Sequence, residues 1–199
     1  MEFSFASCPP SLHTLLCSFT QVRQLGPLAE RCTMLQTLNC SNTSVAKLGP
    51  LSACTMLQTL DCSWTRVADL GPLSVCTMLQ TLSCRHTRVA ELGPLSAYTM
   101  LRTLDCSYTG VAELGPLSAC TMPQTLTCSH TKVAELGPLS ACTMLRNLNC
   151  YGCGHVAAWA PCQHASCCRP LTTATLGCRC CLPWKHARLL WPCGAILLF

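Results

Sequence analysis

The sequence predicts an α/β repeat solenoid, with a parallel β-sheet along one face and short helical or 3₁₀ returns along the other. Three observations lead there. The tetrapeptide Leu-Gly-Pro-Leu begins at Leu25, Leu48, Leu70, Leu92, Leu114 and Leu136, a spacing of 23 residues once and then 22 four times. Apolar residues recur in register within every unit. The positions between them vary from unit to unit, as residues without packing duty do.

The elements follow in order from one full unit, Leu57 to Met78, which reads LQTLDCSWTRVADLGPLSVCTM. Over Thr59 to Ser63, period-2 alternation places Leu60 and Cys62 inward and Thr59, Asp61 and Ser63 outward, which predicts a short strand. After Val67, Gly71-Pro72 breaks extended structure. Proline at the first position of a helical turn then lets Leu73 and Cys76 share a face three residues apart, so a helical or 3₁₀ segment returns the chain. One such unit cannot cover its own apolar face, so neighbours stack about 4.8 Å apart and their strands join in one parallel sheet. The first unit, Leu12 to Met34, departs at Leu16 and at Ala29-Glu30-Arg31, as an edge unit does. Pro123 replaces the opening leucine of the sixth, which is tolerable at a strand start. The expected organisation is a repeat domain over 1–157, with six full repeats from Leu12 and a partial seventh from Leu145, followed by an irregular cysteine-rich tail over 158–199.

Composition agrees with a packed core: half of the residues are hydrophobic and 11% are charged. The net charge of +5 is unevenly placed, because all the acidic residues precede Ala157 and the tail carries only Lys and Arg. The repeats are nearly neutral and show no clustered basic footprint, so no nucleic-acid partner is expected. MEFSFASCPP reads poorly as a secretory signal, and no uncharged apolar run reaches the ~18 residues of a membrane span.

The pattern L-x-x-L-x-C-x-x-T-x-V-x-x-L-G-P-L-x-x-C resembles the 22-residue leucine-rich repeats of bacterial internalins and of the protein phosphatase 1 regulatory leucine-rich-repeat subunit. The resemblance covers Leu12 to about Ala157. It implies a leucine-rich-repeat horseshoe with the sheet on its concave face, and protein binding in general terms. Two columns depart from the family pattern. The usual asparagine is threonine, at Thr20, Thr43, Thr65, Thr87, Thr109 and Thr131, and a hydroxyl satisfies fewer backbone groups than an amide. The usual third strand leucine is cysteine, from Cys17 through Cys40, Cys62, Cys84, Cys106 and Cys128 to Cys150.

A second cysteine column runs Cys32, Cys54, Cys76, Cys120 and Cys142, broken by Tyr98. Side chains in such columns run parallel and do not converge as a disulfide or a tetrahedral zinc site demands. They are expected as reduced core thiols, which favours a cytoplasmic location.

The candidate binding face collects the variable outward positions: Asp61 and Asp105 in one column; Trp64, His86, Tyr108 and His130, with Phe19 and Asn42, in the next; Arg66, Arg88 and Lys132 in a third; and Arg85 beside them. Aromatic, His and Arg groups have the composition of interface anchors. No nucleophile and orienting acid attend His86 or His130, so no catalytic site and no cofactor are expected.

The tail is expected to be out of frame. Joining the last base of each codon to the first two of the next forces glycine at Trp159-Ala160 and leucine at Cys167-Cys168. With permitted third bases, Ala158 to Cys178 reads L-G-P-L-S-A-C-I-M-L-Q-T-L-D-Y-S-Y-T-G-V, another repeat with two forced departures, Ile for Thr and Tyr for Cys. The expected function is a non-enzymatic protein-binding scaffold, truncated or derived from a pseudogene, whose partner is a protein of unspecified identity. The alternatives are a zinc-binding protein using tail residues such as Cys162, His164, Cys167 and Cys168, with the repeats reading a partner, or a fragment of a surface adhesin.

Overall fold

The computed structural model describes residues 9–153. Seven three-residue strands alternate with six helical returns: β1 Thr14–Leu16, β2 Thr37–Asn39, β3 Thr59–Asp61, β4 Thr81–Ser83, β5 Thr103–Asp105, β6 Thr125–Thr127 and β7 Asn147–Asn149. They form one parallel sheet in sequence order, with Leu15, Leu38, Leu60, Leu82, Leu104, Leu126 and Leu148 in register. The central leucine of each strand faces a continuous core shared with the Val, Leu and Cys positions of the repeat.

The strand is shorter than its sequence alternation suggests. Asp61 ends β3, and Ser63, expected outward, is buried, because the chain turns at Ser63 and Trp64. Hydrogen bonding between repeats nevertheless runs past the strand: Cys62 N–H donates to the Ser83 carbonyl at 2.9 Å and Trp64 N–H to the Arg85 carbonyl at 2.8 Å. The turn is also tied backwards, since Arg66 N–H donates to the Val45 carbonyl at 2.9 Å.

Five of the returns, Gly49–Ala53, Gly71–Val75, Gly93–Ala97, Gly115–Ala119 and Gly137–Ala141, are 3₁₀, and the first, Gly26–Arg31, is α-helical. The one-residue excess of the first unit explains the difference. Cys54 N–H closes its turn on Leu51, three residues back, whereas Cys32 N–H closes on Leu28, four residues back. An inserted residue turns a 3₁₀ closure into an α closure without moving either core side chain out of register.

The threonine column closes each turn from within. The hydroxyls of Thr20, Thr43, Thr65, Thr87, Thr109 and Thr131 donate to the carbonyl of the cysteine three residues earlier at 2.6 to 2.7 Å. At Thr43 and Thr65 the same oxygen accepts a longer bond, 3.5 Å, from the valine N–H two residues on.

Candidate functional site

Each ring of the outward column stands on an unusual backbone. Phe19, Asn42, Trp64, His86, Tyr108 and His130 all have positive φ, between 52° and 57°, and Gly152 takes the same place in the seventh unit at 67°. Asparagine and glycine tolerate this left-handed region, whereas aromatic residues hold it only where neighbouring structure over-determines the backbone. The bonds from Trp64 N–H forward to Arg85 and from Arg66 N–H back to Val45 supply that restraint.

Repeating the same turn in register stacks the rings. Trp64 and His86 lie 3.6 Å apart between centroids and 15° from parallel, His86 and Tyr108 4.1 Å and 11°, and Tyr108 and His130 4.4 Å and 20°. Tyr151 ends the stack edge-on to His130 at 5.3 Å. Arg85 places its guanidinium 5.4 Å from the Tyr108 centroid, within cation–π range. Desolvation first, then the Arg85 charge, hold the His86 imidazole below its ordinary value.

The candidate residues thus divide into three groups. The structure brings Trp64, His86, Tyr108 and His130 into direct contact, with Arg85 over the stack. Asp61 and Asp105 lie at strand ends, where one carboxylate oxygen of each accepts the N–H of Ser63 or Ser107 at 2.9 Å. Arg66, Arg88 and Lys132 are exposed two residues beyond Trp64, His86 and His130. The sequence reading missed the left-handed turn, the contact between successive rings, and Tyr151 as the end of the stack. Asn42 in the column was the available signal, because asparagine favours that conformation.

The thiols behind this face are inert by burial. Cys40, Cys54, Cys62, Cys76, Cys84, Cys106 and Cys120 are buried free thiols. Desolvation and neighbouring thiols push Cys40 up to about 12 and Cys54 and Cys76 up to about 11, and move Cys62, Cys84 and Cys106 well above the ordinary thiol value. Cys153 takes the threonine place in the seventh unit. A hydrogen bond with the Cys128 thiol holds Cys153 below its ordinary value, and the same bond holds Cys128 above. Among the described residues no group of three or more His, Cys, Asp or Glu is placed to hold a metal ion, and no helix is long and apolar enough to cross a membrane. The tail grouping of Cys162, His164, Cys167 and Cys168, and the frame shift near Ala158, lie outside the described residues.

Solved structures place this architecture. The chain superposes on an internalin, InlF, of Listeria monocytogenes with a TM-score of 0.69 and 24% identity, covering 71% of this chain and 42% of that one. Internalin C2 of the same organism gives a TM-score of 0.69 and 24% identity over 74% of this chain and 66% of that one. The chain is a leucine-rich-repeat solenoid that resembles the internalins. InlJ of Listeria monocytogenes, described as including a cysteine ladder, gives a TM-score of 0.66 and 25% identity over 75% of this chain and 32% of that one. The chain therefore spans between 32% and 66% of the length of these three proteins. No protein-family profile and no curated protein matches the sequence.

Proposed function

We propose that this leucine-rich-repeat protein is a non-enzymatic binding scaffold whose face for a protein partner is the stacked column of Trp64, His86, Tyr108 and His130, with Arg66, Arg85, Arg88 and Lys132 beside it and Asp61 and Asp105 at its margin. The observation that carries the reading is the stack itself. Four rings held on left-handed backbone at an exposed surface contribute little to the core, yet they form a rigid amphipathic ridge of the kind that anchors interfaces. Among the described residues no side-chain hydrogen bond joins His86 or His130 to a nucleophile or to an orienting acid, the arrangement that catalysis by either ring would need. Reduced core thiols favour the cytoplasm as the place of action.

Partner capture with three forms of the protein tests this reading. A partner retained by wild type and by Val75→Ala, whose exposed side chain lies on a return, but lost from the double variant Trp64→Ala, Arg88→Ala, supports it. A partner lost from the Val75 variant and retained by the double variant overturns it. A shifted reading frame over residues 158–178 is a separate proposal, supported by the repeat that the codons permitted by those residues can spell. Coding DNA that spells no repeat in either shifted frame would refute it.

A further inference from the structure

We propose that the ring column has a gap at Asn42, between Phe19 and Trp64, which receives one aromatic side chain of an acidic protein segment lying along Arg66, Arg88 and Lys132. The proposal rests on the ring-bearing face being the binding face.

Phe19, Asn42 and Trp64 occupy equivalent places in successive repeats. Their φ angles are 57°, 54° and 57°, and their N–H groups donate to the next repeat in the same way, to Ser41, Ser63 and Arg85. Their side chains therefore leave the backbone in the same direction, one repeat apart. From Trp64 to His130 each place holds a ring that covers its neighbour's face. At Asn42 the series is interrupted by a short amide, and among the described residues that amide makes no hydrogen bond. The walls on either side stay open: Phe19 is 80% exposed and Trp64 52%, and Leu16 at the end of β1 is exposed as well. This end of the face thus carries most of its exposed apolar surface.

The walls are two repeat steps apart, about 9.6 Å at ordinary strand spacing. The short Asn42 amide fills only the base of that space, and a ring lying over it, roughly 5 to 6 Å from each wall, is inside the range in which aromatic pairs attract. Charge decides what carries the ring. Arg66 extends from the same repeat as Trp64, and Arg88 and Lys132 continue its column. Asp61 and Asp105 are opposing charges, but the four cations Arg66, Arg85, Arg88 and Lys132 outnumber these two carboxylates on the face. A segment with carboxylates beside its aromatic residue complements that column. A nucleic-acid strand could also offer a flat ring and negative charge, but it would need a denser cationic groove than three spaced side chains.

Binding of synthetic nine-residue peptides to the full chain, followed by fluorescence anisotropy at two salt concentrations, tests the proposal. A glutamate-rich peptide with a central tryptophan should bind roughly 2- to 10-fold tighter than its alanine twin, as one added aromatic contact provides. Asn42→Phe fills the gap with a ring type already held at this φ by Phe19, and should bring that ratio to about one while the alanine peptide binds as before. Trp64→Ala, which removes a wall, should also lower the ratio, so the test stands if the first variant folds poorly. Equal binding of the two peptides, no binding of either, an unchanged ratio in Asn42→Phe, or an oligothymidylate that binds more tightly and displaces the peptide would each overturn the proposal. If the ratio fails while partner capture still depends on Trp64 and Arg88, the gap is refuted and the face stands; if both fail, the face is refuted as well.

Discussion

The hydroxyl of Tyr98 donates to the carbonyl of Leu73 at 2.8 Å, taking over a bond that cysteine makes elsewhere in the array. Cys76, Cys120 and Cys142 donate to the carbonyl 25 residues earlier, at Leu51, Leu95 and Leu117. Tyr98 is fully buried, so the break in the second cysteine column is a larger side chain in the same role. Tyr98→Phe should cost about 0.5 to 1.5 kcal/mol, because the Leu73 carbonyl keeps the Cys76 N–H. Tyr98→Cys restores the repeat pattern but should cost more, by about 2 kcal/mol or beyond, through the cavity left behind. Urea denaturation of the two variants measures the order, and a Cys variant as stable as wild type would contradict the packing.

Leu60 is completely buried under β3, and Leu60→Ala should cost about 2 to 5 kcal/mol. Its neighbour Asp61 contributes through one acceptor for the Ser63 N–H, so Asp61→Ala should cost only about 1 kcal/mol. Equal losses in the same denaturation experiment would contradict the inward and outward assignment of the strand.

Gly152 shows what the left-handed column demands at its end. A Cβ on Gly152 would lie 2.7 Å from the His130 imidazole, so Gly152→Ala meets both strain and a clash and should lower stability by about 1 to 2 kcal/mol. His130→Gly loses the stack with Tyr108 but gains backbone freedom at φ 53°, and should be less destabilising than His130→Ala. Thermal melts of the three variants, read by far-ultraviolet circular dichroism, test the order.

His86 binds its proton less readily in the fold than in the unfolded chain, through desolvation and then the Arg85 charge. The sign follows from linkage: the associated stability is fully present above the unfolded-state value, about 6.5, and is lost as pH falls through the lowered folded value. NMR titration of the His86 ring should show a midpoint below the ordinary histidine range, moving upward in Arg85→Ala and further downward in Asp105→Asn. An unshifted midpoint in Arg85→Ala would remove Arg85 as a cause.

Thiol labelling at neutral pH should spare Cys54, Cys62, Cys76 and Cys84, whose burial disfavours the thiolate, and should reach half-buried Cys153 first. Peptide mass spectrometry resolves the sites. Disulfides between successive repeats, found in denaturant without reductant, would contradict both the column geometry and the proposed cytoplasmic location.

The repeat, its register and its core are legible in the order of the amino acids alone. Leu60, Val67, Leu70 and Leu73 recur at a fixed interval, and burying a periodic apolar set is a local, additive requirement that each unit states again. The same order also placed Trp64, His86, Tyr108 and His130 in one column, because equal sequence spacing in stacked repeats means equal position. How that column stands is set by contacts between repeats. The left-handed φ at Trp64 depends on bonds to Arg85 in the next repeat and, through Arg66, to Val45 in the previous one, and neither is visible within a single unit. The ring separations of 3.6 to 4.4 Å depend on the same cross-repeat restraint, as does the gap at Asn42, which is defined by Phe19 and Trp64 on either side of it. Periodicity names the residues that share a face; the hydrogen bonds between neighbouring turns decide whether they touch.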